Sequence, residues 1–383
     1  MSTIIAEQEV TGIIAEPEVE DLPQSESLQI QGIDYVEFYV GNATQATHFY
    51  RHAFGLTPIA YSGLETGSHD HVSCVVEQRK VRLIFTSALT PESPVAAHVN
   101  QHGDGVKDIA FKVKDATQAF AYAVKRGAQP IMEPTVLENE KGYVIKATIG
   151  SFGDTVHSFI ERNTYTGKFL PNFAGLNDLA PIPATYLAAT DHLAISVEQG
   201  SLDKWVDFYK EALGFKQTDE RDIITENSAL SSKVVQNSTG LIKLVLMEPA
   251  PGRCKSQIEE YLDFYRGAGT QHVAMLSSNI FRSVAALRAT GISFLQAPDS
   301  YYDMLEDRIG KIDEDMKALR ELHILVDRDE WGYLMQVFTK PVQSRPTVFM
   351  EIIQRVGARG FGGGNVLALF KAMEREQALR GNL

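Results

Sequence analysis

DYVEFYVGNATQATHFYRHAFGL (residues 34–56) and DHLAISVEQGSLDKWVDFYKEALGF (residues 191–215) follow one plan. Each opens on a strand-like run, crosses a polar loop and enters an amphipathic helix. Each then exits through a glycine followed by an apolar residue, where glycine suits the left-handed backbone of a helix C-cap. In the first copy Ala46, Phe49, Tyr50 and Phe54 share one helical face. Two further echoes come in the same order: GVKDIAFKV (105–113) with GTQHVAMLS (269–277), and VHSFIER (156–162) with FMEIIQR (349–355). Three echoes in one order argue for a duplicated domain.

The rest of the chain fits an α+β reading. Strand-like runs such as Val81–Phe85 and Lys243–Met247 alternate with helical stretches. Residues 163–186, with Pro171, Pro181 and Pro183, read as a linker between an N-terminal half at 28–162 and a C-terminal half at 187–383. Residues 1–27 are acidic, hold little to bury, and read as a disordered tail. Each half has room for two units of one strand, one helix and further strands, so four units would make two open, barrel-like sheets.

Bulk properties exclude several classes. A net charge of −13 with no basic stripe disfavours a nucleic-acid partner. No apolar run approaches the roughly 18 residues a membrane helix needs. Two cysteines, Cys74 and Cys254, cannot build a disulfide framework. The opening MSTIIAEQEV is acidic and does not read as a signal peptide. A cytoplasmic enzyme is expected, with a homo-oligomer as its expected state.

The halves disagree where chemistry would sit. The C-terminal half has His192, His272 and Glu351 where the N-terminal half has Tyr35, Asp108 and Ser158. Two imidazoles and one carboxylate are the ligand set of the facial triad of non-haem Fe(II) oxygenases, which leaves open coordination positions. Singly, each has a plainer reading: a hydrogen-bonded core histidine, or for Glu351 an ion pair with Arg355. Jointly they favour a metal. His69-Asp70-His71 reads as a solvated loop, and His98, His102, His157 and His323 lack partners at convincing spacing.

With these residues in view, the chain from about residue 30 onward resembles the 4-hydroxyphenylpyruvate dioxygenase family of the vicinal-oxygen-chelate superfamily. The resemblance rests on DHLAI (191–195), KSQIEEYLDFYRGAGTQHVA (255–274), DSYYDML (299–305), ILVDRDEWGYLMQVFTKPVQSRPTVFMEIIQR (324–355) and GFGGGN (360–365). It implies duplicated βαβββ modules, Fe(II) on His192, His272 and Glu351, and an aromatic 2-oxo acid and O2 as reaction partners, with no added 2-oxoglutarate. It also implies substrate contacts from Ser232, Gln257, Gln271, Gln336, Phe338, Phe349 and Phe361. The glycines at 360–364 suit a hinge, and Asn365 an N-cap, for a C-terminal lid helix with Val366, Leu369, Phe370 and Met373 on one face.

The sequence departs from the homogentisate-forming members at three places. Val245 replaces a proline, Met247 an asparagine and Val366 a phenylalanine. Such substitutions resemble the sister branch, 4-hydroxymandelate synthase, and 4-hydroxymandelate is the product they favour; homogentisate is the alternative. A glyoxalase-type isomerase and a non-catalytic binding module of the same fold are the remaining readings.

Overall fold

The computed structural model describes residues 28–177, 182 and 184–383; the expected tail at 1–27 lies outside them. The first unit is β1 (Ile30–Tyr39), α1 (Ala43–Phe54), β2 (Thr57–Ser62), β3 (His71–Gln78) and β4 (Val81–Ala88). After α2 (Pro94–His102) the second unit repeats it: β5 (Gly105–Val113), α3 (Ala116–Lys125), β6 (Pro130–Asn139), β7 (Gly142–Gly150) and β8 (Val156–Glu161). A two-residue strand, β9 (Ala174–Gly175), follows. The third unit holds β10 (Leu187–Ser196), α4 (Leu202–Leu213), β11 (Lys216–Ile224), β12 (Ala229–Gln236) and β13 (Lys243–Ala250), and is followed by α5 (Gln257–Tyr265). The fourth is β14 (Gly269–Ser277), α6 (Ile280–Ala289), β15 (Leu325–Arg328), β16 (Tyr333–Phe338) and β17 (Phe349–Val356). Short helices α7 (Asp299–Asp303), α8 (Leu305–Ile309) and α9 (Met316–Glu321) are inserted into it, and α10 (Gly363–Arg380) ends the chain.

The units pair into two curled half-barrel sheets. Their strand orders are β6-β7-β8-β5-β1-β4-β3-β2-β9 and β11-β12-β13-β10-β14-β17-β16-β15. In every unit the first strand lies parallel to the last (β1 with β4, β5 with β8, β10 with β13, β14 with β17), and the two units of a half join antiparallel through their first strands. The expected duplicated α+β architecture is what the chain adopts.

Local chemistry explains the repeated helices. Asn42 caps α1 by accepting from the Gln45 N–H, and Gly55 and Gly214 close α1 and α4 at φ 70° and 67°. The α1 face differs from expectation in one residue: Tyr50 and Phe54 are buried, but Phe49 is 37% exposed. One apolar core runs through both halves, joining Phe38, Phe85 and Phe111 to Leu193, Tyr209 and Val273. Smaller clusters fill the inner faces of the sheets. Phe169 and Leu170, from the segment read as linker, pack with Tyr35, Val75 and Ile160 inside the first sheet, and β9 extends that sheet at β2. Inside the second, Phe370 of α10 packs with Ala194, Leu230, Met247 and Ile258.

Candidate metal centre

His192 lies on β10, His272 on β14 and Glu351 on β17, three neighbouring strands. Their donor atoms all fall within 4.8 Å of one another, and all three residues are buried. Glu351 Oε2 is 3.1 Å from His192 Nε2 and 3.4 Å from His272 Nε2.

Irregularities in the sheet aim these groups. Strand alternation should send neighbouring residues to opposite faces. The β10–β14 register skips Asp191 on one strand and Gln271 on the other, so each is an extra residue beside a histidine. Both are thereby turned back toward the ring that follows them. His192 Nδ1 donates to Asp191 Oδ1 at 2.8 Å, and His272 Nδ1 lies 3.2 Å from Gln271 Oε1. With each Nδ1 engaged by an acceptor, each Nε2 faces Glu351 and is the nitrogen available to a metal. Gln336 on β16 donates to Glu351 Oε1 at 2.8 Å, which leaves Oε2 for the centre.

Electrostatics favour a cation among the three donors. Burial would raise the Glu351 pKa, yet the two imidazoles outweigh it and hold the carboxyl at about 2. Burial disfavours a charged His272 and lowers its pKa. It opposes charge on His192 too, but Glu351 and Asp191 prevail there and raise the pKa. The group therefore favours positive charge at the carboxylate, and burial keeps that charge off His272. A divalent ion shared by all three meets both demands, so the donor set fits a metal. Arg355 is not the partner of Glu351, as the plainer reading had it. Its guanidinium binds Asp191 through two contacts of 2.8 Å and braces the His192 support from behind.

Apolar rings enclose the centre. Phe349 stacks on His272 at 4.8 Å, Phe338 approaches its edge at 6.0 Å, and Phe361 meets His192 at 5.0 Å. Gln257, from the first turn of α5, lies 3.5 Å from Gln271. Ser232 pairs in register with Met247 across β12 and β13. Met247, Val245 and Val366 sit in the apolar cluster around Phe370, so these residues are brought together on the inner face. Leu369 turns instead into the large shared core. Asn365 is not the N-cap of α10: the helix begins at Gly363 after Gly362, at φ 65°, and the fully buried Asn365 amide reaches Gln336.

The N-terminal half shows what replaces a metal. Tyr35, Asp108 and Ser158 also converge: Tyr35 Oη and Ser158 Oγ donate to Asp108 Oδ2 at 3.0 and 2.6 Å. The cation there is built in. Lys146 Nζ lies 3.5 Å from Asp108 Oδ2 and 3.0 Å from Tyr35 Oη. Lys146 is two residues before the strand partner of Ser158, as Gln336 is two before the partner of Glu351. An ammonium thus stands beside this buried carboxylate.

His98 and His102 do have a partner that spacing did not reveal, Asp154, at 2.7 and 3.6 Å. Lys107 also binds that carboxylate, and His102 Nδ1 donates to the Tyr265 carbonyl, so the group ties α2 to the C-terminal half. Asp154 already has its countercharge.

Comparison with known proteins agrees with this geometry. Residues 25–169 match the family model of the hydroxyphenylpyruvate dioxygenase N-terminal region, and residues 189–337 that of the glyoxalase/bleomycin resistance protein/dioxygenase superfamily. A 4-hydroxyphenylpyruvate dioxygenase of Yarrowia lipolytica is 46% identical over 369 residues, covering 92% of this chain and 94% of the relative. The chain belongs to the 4-hydroxyphenylpyruvate dioxygenase family. As a member of that family it is a dioxygenase enzyme, which sets aside a non-catalytic binding module. A second 4-hydroxyphenylpyruvate dioxygenase, from Dictyostelium discoideum, is 44% identical over 92% of this chain and all of the relative. A solved mutant of 4-hydroxymandelate synthase from Streptomyces coelicolor aligns with a TM-score of 0.84 and 36% identity, covering 91% of this chain and all of that one. Among the described residues of this dioxygenase-family chain, no helix is long and apolar enough to cross a membrane.

Proposed function

We propose that the enzyme binds Fe(II) through His192, His272 and Glu351 and converts 4-hydroxyphenylpyruvate and O2 to homogentisate and CO2. The observation that carries this reading is the convergence of two imidazoles and one carboxylate in the C-terminal half, with an ammonium in the matching place of the other. Fe(II) bound there would supply Lewis acidity toward the 2-oxo acid and the electrons that activate O2.

The chain's own part is positioning and exclusion of water. Asp191, braced by Arg355, and Gln271 fix the two rings, while Gln336 fixes the carboxylate. Gln257 and Gln271 offer uncharged amides for the substrate's oxygens, and Ser232 a hydroxyl deeper on the inner face. Phe338, Phe349 and Phe361 form a dry wall, which strengthens every polar contact inside it.

This reading departs from the synthase expectation drawn from Val245, Met247 and Val366. Relatives at 44–46% identity carry the dioxygenase name, whereas the synthase neighbour stands at 36%. One observation favours 4-hydroxymandelate as a second reading. The inner face beyond Ser232 is apolar at Met247 and Val366, so it offers the substrate phenol neither the amide nor the ring that the homogentisate-forming members place there. A difference of about 1.4 kcal/mol between two transition states would give a tenfold product ratio.

The test is to incubate the Fe(II) enzyme with 4-hydroxyphenylpyruvate without 2-oxoglutarate and record the proton NMR spectrum of the product. The two candidates are isomers, so mass alone does not separate them. Homogentisate shows three aromatic protons and a benzylic CH2. A four-proton aromatic pattern with a benzylic CH would instead establish 4-hydroxymandelate, and a strict need for 2-oxoglutarate would refute both.

A further inference from the structure

A chain of buried polar contacts leaves the candidate centre on the side of α10. Gln336 Nε2 donates to Glu351 Oε1 and Asn365 Nδ2 donates to Gln336 Oε1 at 2.8 Å. Tyr301 Oη lies 2.7 Å from Asn365 Oδ1 and 2.8 Å from the Val326 carbonyl; that carbonyl already accepts from Arg308 Nη2 at 2.7 Å, which leaves the single phenol proton for Asn365. Gln336 and Asn365 are 3% and 0% exposed, so water does not substitute for the two inner links, while Tyr301 is half-buried. Tyr301 itself is anchored from outside: its oxygen accepts from the Val326 N–H at 2.8 Å and from Arg308 Nη2 at 2.7 Å. Arg308 also binds Asp327, whose other oxygen accepts the Gly364 N–H in the first turn of α10.

The direction of the chain is contested. Turned over, the Asn365 amide could donate to both Tyr301 Oη and the Val326 carbonyl. That arrangement also lets Asn365 Oδ1 accept from the Asp327 N–H at 3.3 Å, but it sets the same oxygen 2.8 Å from Gln336 Oε1 with no proton between the two. Gln336 would then have to turn as well, withdrawing its donor from Glu351. The phenol proton of Tyr301 is what satisfies Asn365 Oδ1 in the orientation that keeps Gln336 donating.

We infer that Tyr301 is a positioning residue: through Asn365 and Gln336 its hydroxyl orients the Glu351 carboxylate and couples it to the first turn of α10. The inference rests on the reading of His192, His272 and Glu351 as metal ligands. Removing a partner one step beyond a ligand typically weakens metal binding about 10- to 100-fold. Tyr301→Phe keeps the ring and deletes the proton.

The test is Co(II) affinity of the substrate-free full chain, measured anaerobically by competition with a chromophoric chelator. Tyr301→Phe should weaken binding by about 10-fold or more. In an Asn365→Leu background, where the chain is already cut, the same change should matter by less than about twofold. A merely structural tyrosine would cost the same in both backgrounds, and that additive result overturns the inference. If Tyr301→Phe does not fold, Asn365→Asp reads the same chain, since it cannot donate to Gln336 while keeping its size. Wild-type affinity in Asn365→Asp also overturns the inference. His272→Ala separates the two levels: wild-type affinity in that variant refutes the metal reading itself, whereas weakened binding there beside intact binding in Tyr301→Phe refutes only the relay.

Discussion

Asp191 carries more of the centre than its position outside the triad suggests. It sits at a bulge, holds the His192 ring, and is paired with the half-buried Arg355 guanidinium. Burial alone would raise its pKa, but Arg355 and His192 hold it well below the usual carboxylate range. Asp191→Asn should therefore act twice. It leaves the half-buried Arg355 without its countercharge, at a cost of about 1–3 kcal/mol. It also loosens His192, weakening metal binding about 10- to 100-fold. Urea unfolding of the metal-free variant and chelator competition read the two effects separately. In the other half Lys146→Met should destabilise by roughly 3 kcal/mol, because the buried Asp108 would keep its hydrogen bonds from Tyr35 and Ser158 but lose its countercharge. Metal content measured on the same protein should not change, since Lys146 stands where no metal is expected.

At the scale of elements, α10 covers the inner face of the second sheet. Phe370, at 0% exposure, inserts among Met247, Leu230 and Ile258, and Glu374 accepts hydrogen bonds from Thr225 and Ser228 at 2.6 Å. The helix is thus anchored along its length, and its entry requires glycine at Gly362, where φ is 65° and an added Cβ would fall 2.9 Å from Asp327 Cβ. We expect α10 to act as the lid that keeps water from the reaction, with Phe370 as its plug. Phe370→Ala should cost about 3–5 kcal/mol in stability and raise the ratio of O2 consumed to product formed. Parallel oxygen-electrode and product assays check this; an unchanged ratio would make α10 structural only.

Much of this level was legible in the sequence. The strand–helix–glycine plan depends on local periodicity and capping, which a single chain displays. The contrast of His192, His272 and Glu351 with Tyr35, Asp108 and Ser158 needed only the internal repeat for alignment. The bulges at Asp191 and Gln271 were not legible, because a register skip depends on the partner strand. Lys146 as the cation of the first half and Asp154 as the partner of His98 were hidden for the same reason: each meets its partner only after the sheets close. Asn365 misled because an asparagine after glycines suits an N-cap, whereas here a buried amide partner, Gln336, drew it inside the helix.

In the whole molecule the two halves are locked by polar contacts as well as by the shared core. His157, fully buried at β8, donates from Nδ1 to the Ile109 carbonyl and accepts from Tyr209 Oη of α4 in the other half. Burial lowers its pKa to about 4. The unfolded imidazole takes up a proton near pH 6.5. Between those values the unfolded state therefore binds the extra proton, and stability should fall as pH drops through that window. The loss approaches about 3 kcal/mol by the lower end, and above pH 6.5 this group adds no pH dependence. Chemical denaturation from pH 7.5 to 4.5, in the native chain and in His157→Gln, checks it: the variant should lose this part of the slope.

The duplication makes one whole-molecule statement that everything else depends on, namely one metal per chain, held by the C-terminal half. Metal analysis of the Fe(II)-loaded protein beside His272→Ala tests it directly. The native chain should hold one equivalent of iron, and His272→Ala should lose it while Lys146→Met retains it. Full iron occupancy in His272→Ala would contradict the account.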